Sequence, residues 1–139
     1  MGWEALSSNT TGSRNTGSGL YVLRYNTTGQ YNTAMGYEAG DVITTGSNNT
    51  IIGYQADPSA NNASNQIVIG KGATGQGDNY AVIGNADVTR VYAAQDAGAT
   101  LYAGGLNIGG TAVSSTAAEL NLLDGGTSVG SSITVANAD

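Results

Sequence analysis

Asn49-Thr50-Ile51-Ile52-Gly53-Tyr54-Gln55-Ala56 returns, with variations, at a fixed interval along the first two thirds of the chain. Asn32-Thr33-Ala34-Met35-Gly36-Tyr37-Glu38-Ala39 is the plainest copy, and Met1-Gly2-Trp3-Glu4-Ala5 keeps only its second half. Gln66-Ile67-Val68-Ile69-Gly70-Lys71-Gly72-Ala73 and Tyr80-Ala81-Val82-Ile83-Gly84-Asn85-Ala86 continue the series. Gly2, Gly19, Gly36, Gly53 and Gly70 are spaced by 17 residues, and Gly84 follows after 14. Thr11-Gly12, Thr28-Gly29 and Thr45-Gly46 keep the same step, as do Asn15-Thr16, Asn32-Thr33 and Asn49-Thr50. The half copy at Met1 reads as a coil cut in two, so the chain is expected either to belong to a longer array or to have its upstream neighbour on another polypeptide.

A unit this short is too small for a helix pair or a propeller blade, but it suits one turn of a β-solenoid. The Asn-Thr-x-x-Gly segment is its first strand. Ala34, Ile51, Val68 and Val82 point one way, into the coil interior, and Met35, Ile52, Ile69 and Ile83 point the other. A strand apolar on both faces is expected to be buried on both faces. One face fills its own coil; the other needs a partner surface, which makes Met35, Ile52, Ile69 and Ile83 the candidate subunit seam. A second strand is expected near Leu6–Thr10, Leu23–Thr27 and Gly40–Thr44, on the solvent side, with Gly- and Asn-rich corners between strands. Stacking at about 4.8 Å per coil would place Asn, Thr and Tyr above their equivalents in ladders. The repeat weakens at Thr16-Gly17-Ser18-Gly19 and again at Asp57–Ser64, where the single proline, Pro58, marks a bent edge or loop.

Composition agrees with a regular or assembled structure. The 139 residues include 22 Gly and one Trp but no Phe, Cys or His, too few large apolar groups for an ordinary globular core. The net charge of -6, with Arg14, Arg24, Lys71 and Arg90 as the only cations, argues against nucleic acid or an anionic membrane surface as a partner. No apolar run approaches the roughly 20 residues of a membrane helix. Without cysteine there is neither a disulfide framework nor a thiolate metal site.

The segments Asn32-Thr33-Ala34-Met35-Gly36 and Asn49-Thr50-Ile51-Ile52-Gly53, each followed by Tyr-x-Ala, resemble the head repeats of trimeric autotransporter adhesins, the YadA-like heads. They resemble still more the Asn-Thr-Ala-x-Gly-Tyr-x-Ala repeats of phage tail fibres. The resemblance covers Met1 to about Ala86 and implies a left-handed parallel β-roll in which three chains pack around a common axis. The adhesin unit usually has 14 residues, matched here only from Gly70 to Gly84.

From Asp87 the period stops. Val88–Ala93 and Ala99–Ala103 read as short strands around a turn at Gln95–Gly98, and Leu106–Gly110 is a further candidate, giving a β-rich connector over 87–114. Thr116-Ala117-Ala118-Glu119 is a capping box that opens a short helix within 115–125, closed by Gly125. Such a helix is too short to persist alone, and Leu120 and Leu123, sharing a face, fit a cluster of three symmetry-related helices at the seam. The string Thr116–Gly125 also resembles a linker motif recurrent in tail fibre and other virion structural proteins of phages. A last strand is expected within 126–139.

Catalytic chemistry finds little support. Neither a Ser-His-Asp nor a Cys-His arrangement is possible, and no cofactor or metal is implied. Glu4 and Glu38 share a repeat position two coils apart, roughly 10 Å in a solenoid, loosely compatible with an inverting pair of carboxylates; a solvated outer position is the better reading. The turn Gly77-Asp78-Asn79 is read as structural rather than calcium-binding. Trp3, Tyr37 and Tyr54 share the slot after the glycine and are candidates to stack on sugar rings, although packing between subunits explains them better. The expected function is that of a structural segment of a homotrimeric phage tail fibre, shaft and host-attachment element. Its partners would be two further copies of itself, other virion proteins and a host surface glycan or protein. A bacterial adhesin head at the cell surface is the alternative, and an ice-binding solenoid built on Thr10, Thr27 and Thr44 a remote one.

Overall fold

Five strands of three residues each, β1 (Thr16–Ser18), β2 (Thr33–Met35), β3 (Thr50–Ile52), β4 (Ile67–Ile69) and β5 (Ala81–Ile83), stack in chain order as one parallel sheet in the computed structural model, which describes residues 2–95, 100, 103 and 105–113. Parallel neighbours need a crossover. Here the remainder of each coil supplies it, so the unit Met1–Val91 is a parallel β-solenoid. The register follows the repeat: Ala34 pairs with Ile51, Ile51 with Val68, and Val68 with Val82. No helix occurs among the described residues.

The corner after each strand is set by a glycine. Gly19, Gly36, Gly53 and Gly70 have φ between 137° and 145°, a conformation costly for any residue with a Cβ. Space is exhausted there as well, since a Cβ on Gly36 would lie 2.2 Å from the carbonyl oxygen of Gly53 in the next coil. The glycine column therefore lets successive backbones touch.

The second strand expected on the solvent side is absent. Leu23–Thr27 and Gly40–Thr44 form turns, and Leu23, Asn26 and Ile43 are fully buried. The cause is backbone: Tyr21 (φ 60°) and Leu23 (φ 49°) both take the left-handed conformation, which breaks the alternation of a strand and buries the adjacent Val22 and Leu23 together. Neighbouring coils still bond here through single contacts, such as Leu6 N–H to Val22 O at 3.0 Å and Leu23 N–H to Ala39 O at 3.1 Å. The core comprises Val22, Leu23, Ala34, Ala39, Ile43, Ile51, Ala56, Val68 and Ala73. Sizes are complementary across it. Gly17 stands where a Cβ would meet Val22 Cγ1 at 2.9 Å, so the glycine that weakens the repeat on one wall makes room for a valine on another. Pro58 is buried, beside an isolated bridge between Asp57 and Thr74.

In the second unit, Tyr92–Asp139, β6 (Leu106–Ile108) and β7 (Thr111–Val113) form an antiparallel hairpin turned by Gly109-Gly110, both at positive φ. Leu106–Ile108 is exposed throughout. Val88–Ala93 is not a strand: Val88 N–H closes a turn on Asn85 O, and no neighbouring strand among the described residues offers it a ladder. Much of Ala99–Ala103, the helix expected within 115–125 with Leu120 and Leu123, and the final strand lie outside the described residues.

Candidate subunit interface

Each short strand sends its middle residue inward and its two flanking residues outward. The inward column is Gly17, Ala34, Ile51, Val68 and Val82; all are buried except Val82, which is half-buried on the last rung. One outward column is Ser18, Met35, Ile52, Ile69 and Ile83, and the other is Thr16, Thr33, Thr50, Ile67 and Ala81. Met35 is 51% exposed, Ile69 37% and Ile83 60%, while Ile52 is half-buried. Ile67 adds another exposed apolar group at 44%. Neither column contains a charged residue. A ladder of this kind is a contiguous apolar strip, unlike the scattered exposed apolar residues of ordinary surfaces.

Behind the strip an amide ladder fixes the spacing of the rungs. The Oδ1 atoms of Asn15, Asn32 and Asn49 accept from the backbone N–H of Asn32, Asn49 and Gln66, at 2.9, 3.0 and 3.0 Å. Their Nδ2 groups donate to the carbonyls of Gly29, Gly46 and Ala63, at 2.7, 2.7 and 2.8 Å. Each Asn thus joins the N–H just before the next strand to the carbonyl of a far corner. Asn32, Asn49 and Gln66 are fully buried, and each has partners within the stack, as burial of polar groups demands. Gln66 takes the Asn slot where the Thr-Gly corner is lost. Its longer arm reaches Ser59 Oγ at 2.7 Å and Asp78 Oδ1 at 3.2 Å, and accepts from Ser59 N–H at 3.1 Å. A second set of bonds comes from Thr10, Thr27 and Thr44, whose hydroxyls donate to the carbonyls of Thr27, Thr44 and Asn61 at 2.8, 3.0 and 3.4 Å. These are the threonines considered for ice binding, and their protons are used inside the stack.

The aromatic residues after the glycine follow the coil spacing. Tyr37 and Tyr54 lie nearly parallel, with centroids 5.3 Å apart and planes 14° from each other, and Tyr21 meets Tyr37 edge-on at 6.1 Å. The guanidinium of Arg24 lies 4.7 Å from the Tyr21 ring centroid while ion-paired with Glu4 at 2.8 Å. Trp3 is strongly exposed. Tyr37 and Tyr54 each give one ring face to the other, which leaves less aromatic face for a sugar than an open column would offer.

The acidic residues are separately engaged. Glu4 pairs with Arg24, and Glu38 accepts from Gln55 Nε2 at 2.8 Å, so the two carboxylates considered as a hydrolytic pair serve different neighbours. Asp78 accepts from Ser64 N–H at 2.8 Å and from Gln66, bonds that hold its carboxyl below the usual range. Burial, reinforced by Asp41, pushes the Asp57 carboxyl up to about 6, and its Oδ1 is buried without a hydrogen-bond partner. Among the described residues, no group of three or more acidic side chains converges as a metal site.

Two features of the interior were not anticipated from the residues. One is the small-residue column Ala39, Ala56 and Ala73 below Val22, buried throughout and legible as a 17-residue spacing of Ala. The other is the inward turn of Leu23 and Ile43, which no polar or apolar alternation signals. Compared with known protein families, with curated proteins and with solved structures, the chain matches none.

Proposed function

We propose that the chain is a structural segment of a homotrimeric fibre, the shaft of a phage tail fibre, which spans distance and presents a host-attachment region. The observation that carries this reading is the outward column Met35, Ile52, Ile69 and Ile83, an uncharged and largely exposed apolar strip over which no second layer packs among the described residues of the solenoid unit. A face of this kind lowers its free energy by about 25 cal/mol for each Å² of apolar surface removed from water. Its occupant is argued to be the same chain for two reasons. A copy has the same rung spacing and can meet the strip side chain for side chain. In addition, copies that each carry a net charge of -6 repel one another least where acids are absent from the facing surfaces, and both outward columns are free of them.

The number three and the phage setting rest on the resemblance of the Asn-Thr-x-x-Gly-Tyr-x-Ala repeats and of Thr116–Gly125 to phage fibre segments. That second string favours a virion appendage over a bacterial adhesin head. Mechanical work suits the architecture, because each coil is bonded to its neighbours by backbone and amide contacts repeated at every rung. The test is the molar mass of the purified chain by light scattering after size exclusion. Three chain masses per particle are expected. A folded particle of one chain mass rules out the shaft reading, and a dimer rules out the threefold arrangement.

A further inference from the structure

From β1 to β4 the three residue columns of the sheet together become more apolar, and on β5 Ile83 keeps one outward column apolar while Ala81 replaces isoleucine in the other. From β1 to β5 the strands read Thr-Gly-Ser, Thr-Ala-Met, Thr-Ile-Ile, Ile-Val-Ile and Ala-Val-Ile. The outward pair is Thr16 and Ser18 on the first rung, Thr33 and Met35 on the second, and Ile67 and Ile69 on the fourth. The interior grows in parallel, from Gly17 through Ala34 to Ile51 and Val68. The parallel register runs through these rungs, and the Oδ1 atoms of Asn15, Asn32 and Asn49 each accept the N–H that opens the next one. Gln66 takes the Asn slot with other partners, and the step to β5 shortens to 14 residues. The outward chemistry thus changes along strands of common register.

We propose that the seam between copies is graded. Association is concentrated in the rungs from Thr50 to Ile83, and the first rung, Thr16–Ser18, stays hydrated and contributes almost nothing to holding the copies together. This rests on the proposed self-assembly and specifies where along the strip it acts. The physical reason is that Thr and Ser hydroxyls on the outward face keep their water at little cost, whereas isoleucines at both outward positions of β4 gain most from losing it. The same end of the solenoid has further apolar side chains beyond the strip, since Val88 and Val91 in the last part of this unit are exposed as well. Docking then begins at the β3–β5 end and proceeds toward β1, each rung being brought into register by the one after it. The graded strip also discourages staggered pairing, because a copy shifted by one or more rungs would set apolar rungs against polar ones.

The experiment places one carboxylate at equivalent outward positions of the full chain: Ser18→Asp, Ile52→Asp and Ile69→Asp. Each variant is measured by light scattering across a dilution series, with far-UV circular dichroism as the check that the solenoid persists. Ser18→Asp is expected to keep the midpoint concentration of dissociation within about threefold of the parent chain. Ile52→Asp and Ile69→Asp are expected to raise it at least a hundredfold while leaving the circular dichroism spectrum that of the parent. Hydrogen exchange on the assembled parent gives a second readout that needs no substitution. Protection is expected to be stronger in peptides covering Thr50–Ile83 than in those covering Thr16–Ser18, and the difference is expected to shrink on dilution to the monomer. Equal sensitivity at Ser18 and Ile69, or equal protection of both ends, overturns the grading while leaving self-assembly intact. A parent chain that is monomeric at every concentration overturns both.

Discussion

A methyl group added at Gly36 would lie 2.2 Å from the carbonyl oxygen of Gly53, and the backbone there has φ 137°. Neither problem can be relieved locally, because the opposing atom belongs to the backbone of the next coil rather than to a flexible side chain. Gly72 also has positive φ, at 59°, but a Cβ there would meet nothing within 4 Å. The two glycines therefore separate the cost of backbone conformation from the cost of contact. Gly72→Ala is expected to destabilise by about 1 kcal/mol, the ordinary cost of a left-handed residue with a Cβ. Gly36→Ala adds a coil-to-coil clash to a conformation that is nearly glycine-only, and is expected to cost more than about 3 kcal/mol. Urea unfolding of the two variants decides it, and equal midpoints would mean that the coils can separate at this corner without loss. The glycine column was evident from the 17-residue spacing alone. What the spacing did not show was the left-handed conformation of Tyr21, Leu23 and Glu38, since no sequence rule expects bulky or charged residues there. These residues are held by the corner they sit in, which is a property of the stack and not of their own preference.

The strands have only three residues each, too short to hold themselves together by side-chain packing on one face. The amide ladder compensates. Asn49 makes a complete set of bonds inside the coil: its Oδ1 accepts from Gln66 N–H at 3.0 Å, and its Nδ2 donates to Asn32 Oδ1 at 3.0 Å and to Ala63 O at 2.8 Å. Asn49→Ala removes the side chain and leaves the Gln66 N–H and the Ala63 carbonyl buried with one partner fewer. The expected cost is about 2–4 kcal/mol, because orphaned buried groups lose their full solvation rather than the net value of a bond. An exposed amide of the same coil gives the control: the side chain of Gln55 donates to Glu38 at the surface, and Gln55→Ala is expected to change stability by less than about 0.5 kcal/mol. Thermal unfolding of both variants tests the contrast, and a loss below about 1 kcal/mol for Asn49→Ala would assign the rung spacing to the backbone alone. The first strand of the unit, its inward and outward columns and the stacking of like residues were all legible in the repeat. The second strand was not, because its segment holds the same Thr, Asn and Ser residues whether it runs extended or turns, and only the positive φ values distinguish the two. The candidate interface was legible as a pattern of apolar residues on two faces, while the tyrosine stack was visible only as a spacing. The hydrogen bonds that occupy Thr10, Thr27 and Thr44 had no signature in the chain.

A chain of net charge -6 that packs regular coils against one another is sensitive to how many carboxylates it carries in ionised form. Two groups set opposite slopes. Asp57 has its carboxyl raised from 3.8 to about 6 by burial and by Asp41, so ionising it opposes folding. Asp41 is raised as well, by burial and by Glu38. For a group of this kind the favourable contribution is complete below the unfolded value of 3.8 and disappears as the pH rises through about 6. A rise of this size corresponds to about 3 kcal/mol if fully realised, and solvent around the half-exposed side chain reduces that to about 1–2 kcal/mol. Asp78 acts in the other direction, since its bonds to Ser64 and Gln66 favour the ionised form, and its contribution is lost as the pH falls below the ordinary carboxylate range. Net self-repulsion also weakens as carboxylates are protonated, which adds to the effect of Asp57. Stability is therefore expected to rise as the pH falls from about 7.5 toward 4.5, and to decline again below about 3.5. Asp57→Asn, which cannot ionise, is expected to raise the melting temperature at pH 7.5 and to flatten most of the slope between 7.5 and 4.5. Melting curves of the parent and of this variant at the two pH values measure both effects. If the parent melts at a lower temperature at pH 4.5 than at pH 7.5, the carboxylates that dominate are those like Asp78, bonded in their charged form, and the unpartnered Oδ1 of Asp57 is solvated by a route that the packing around Pro58 leaves open.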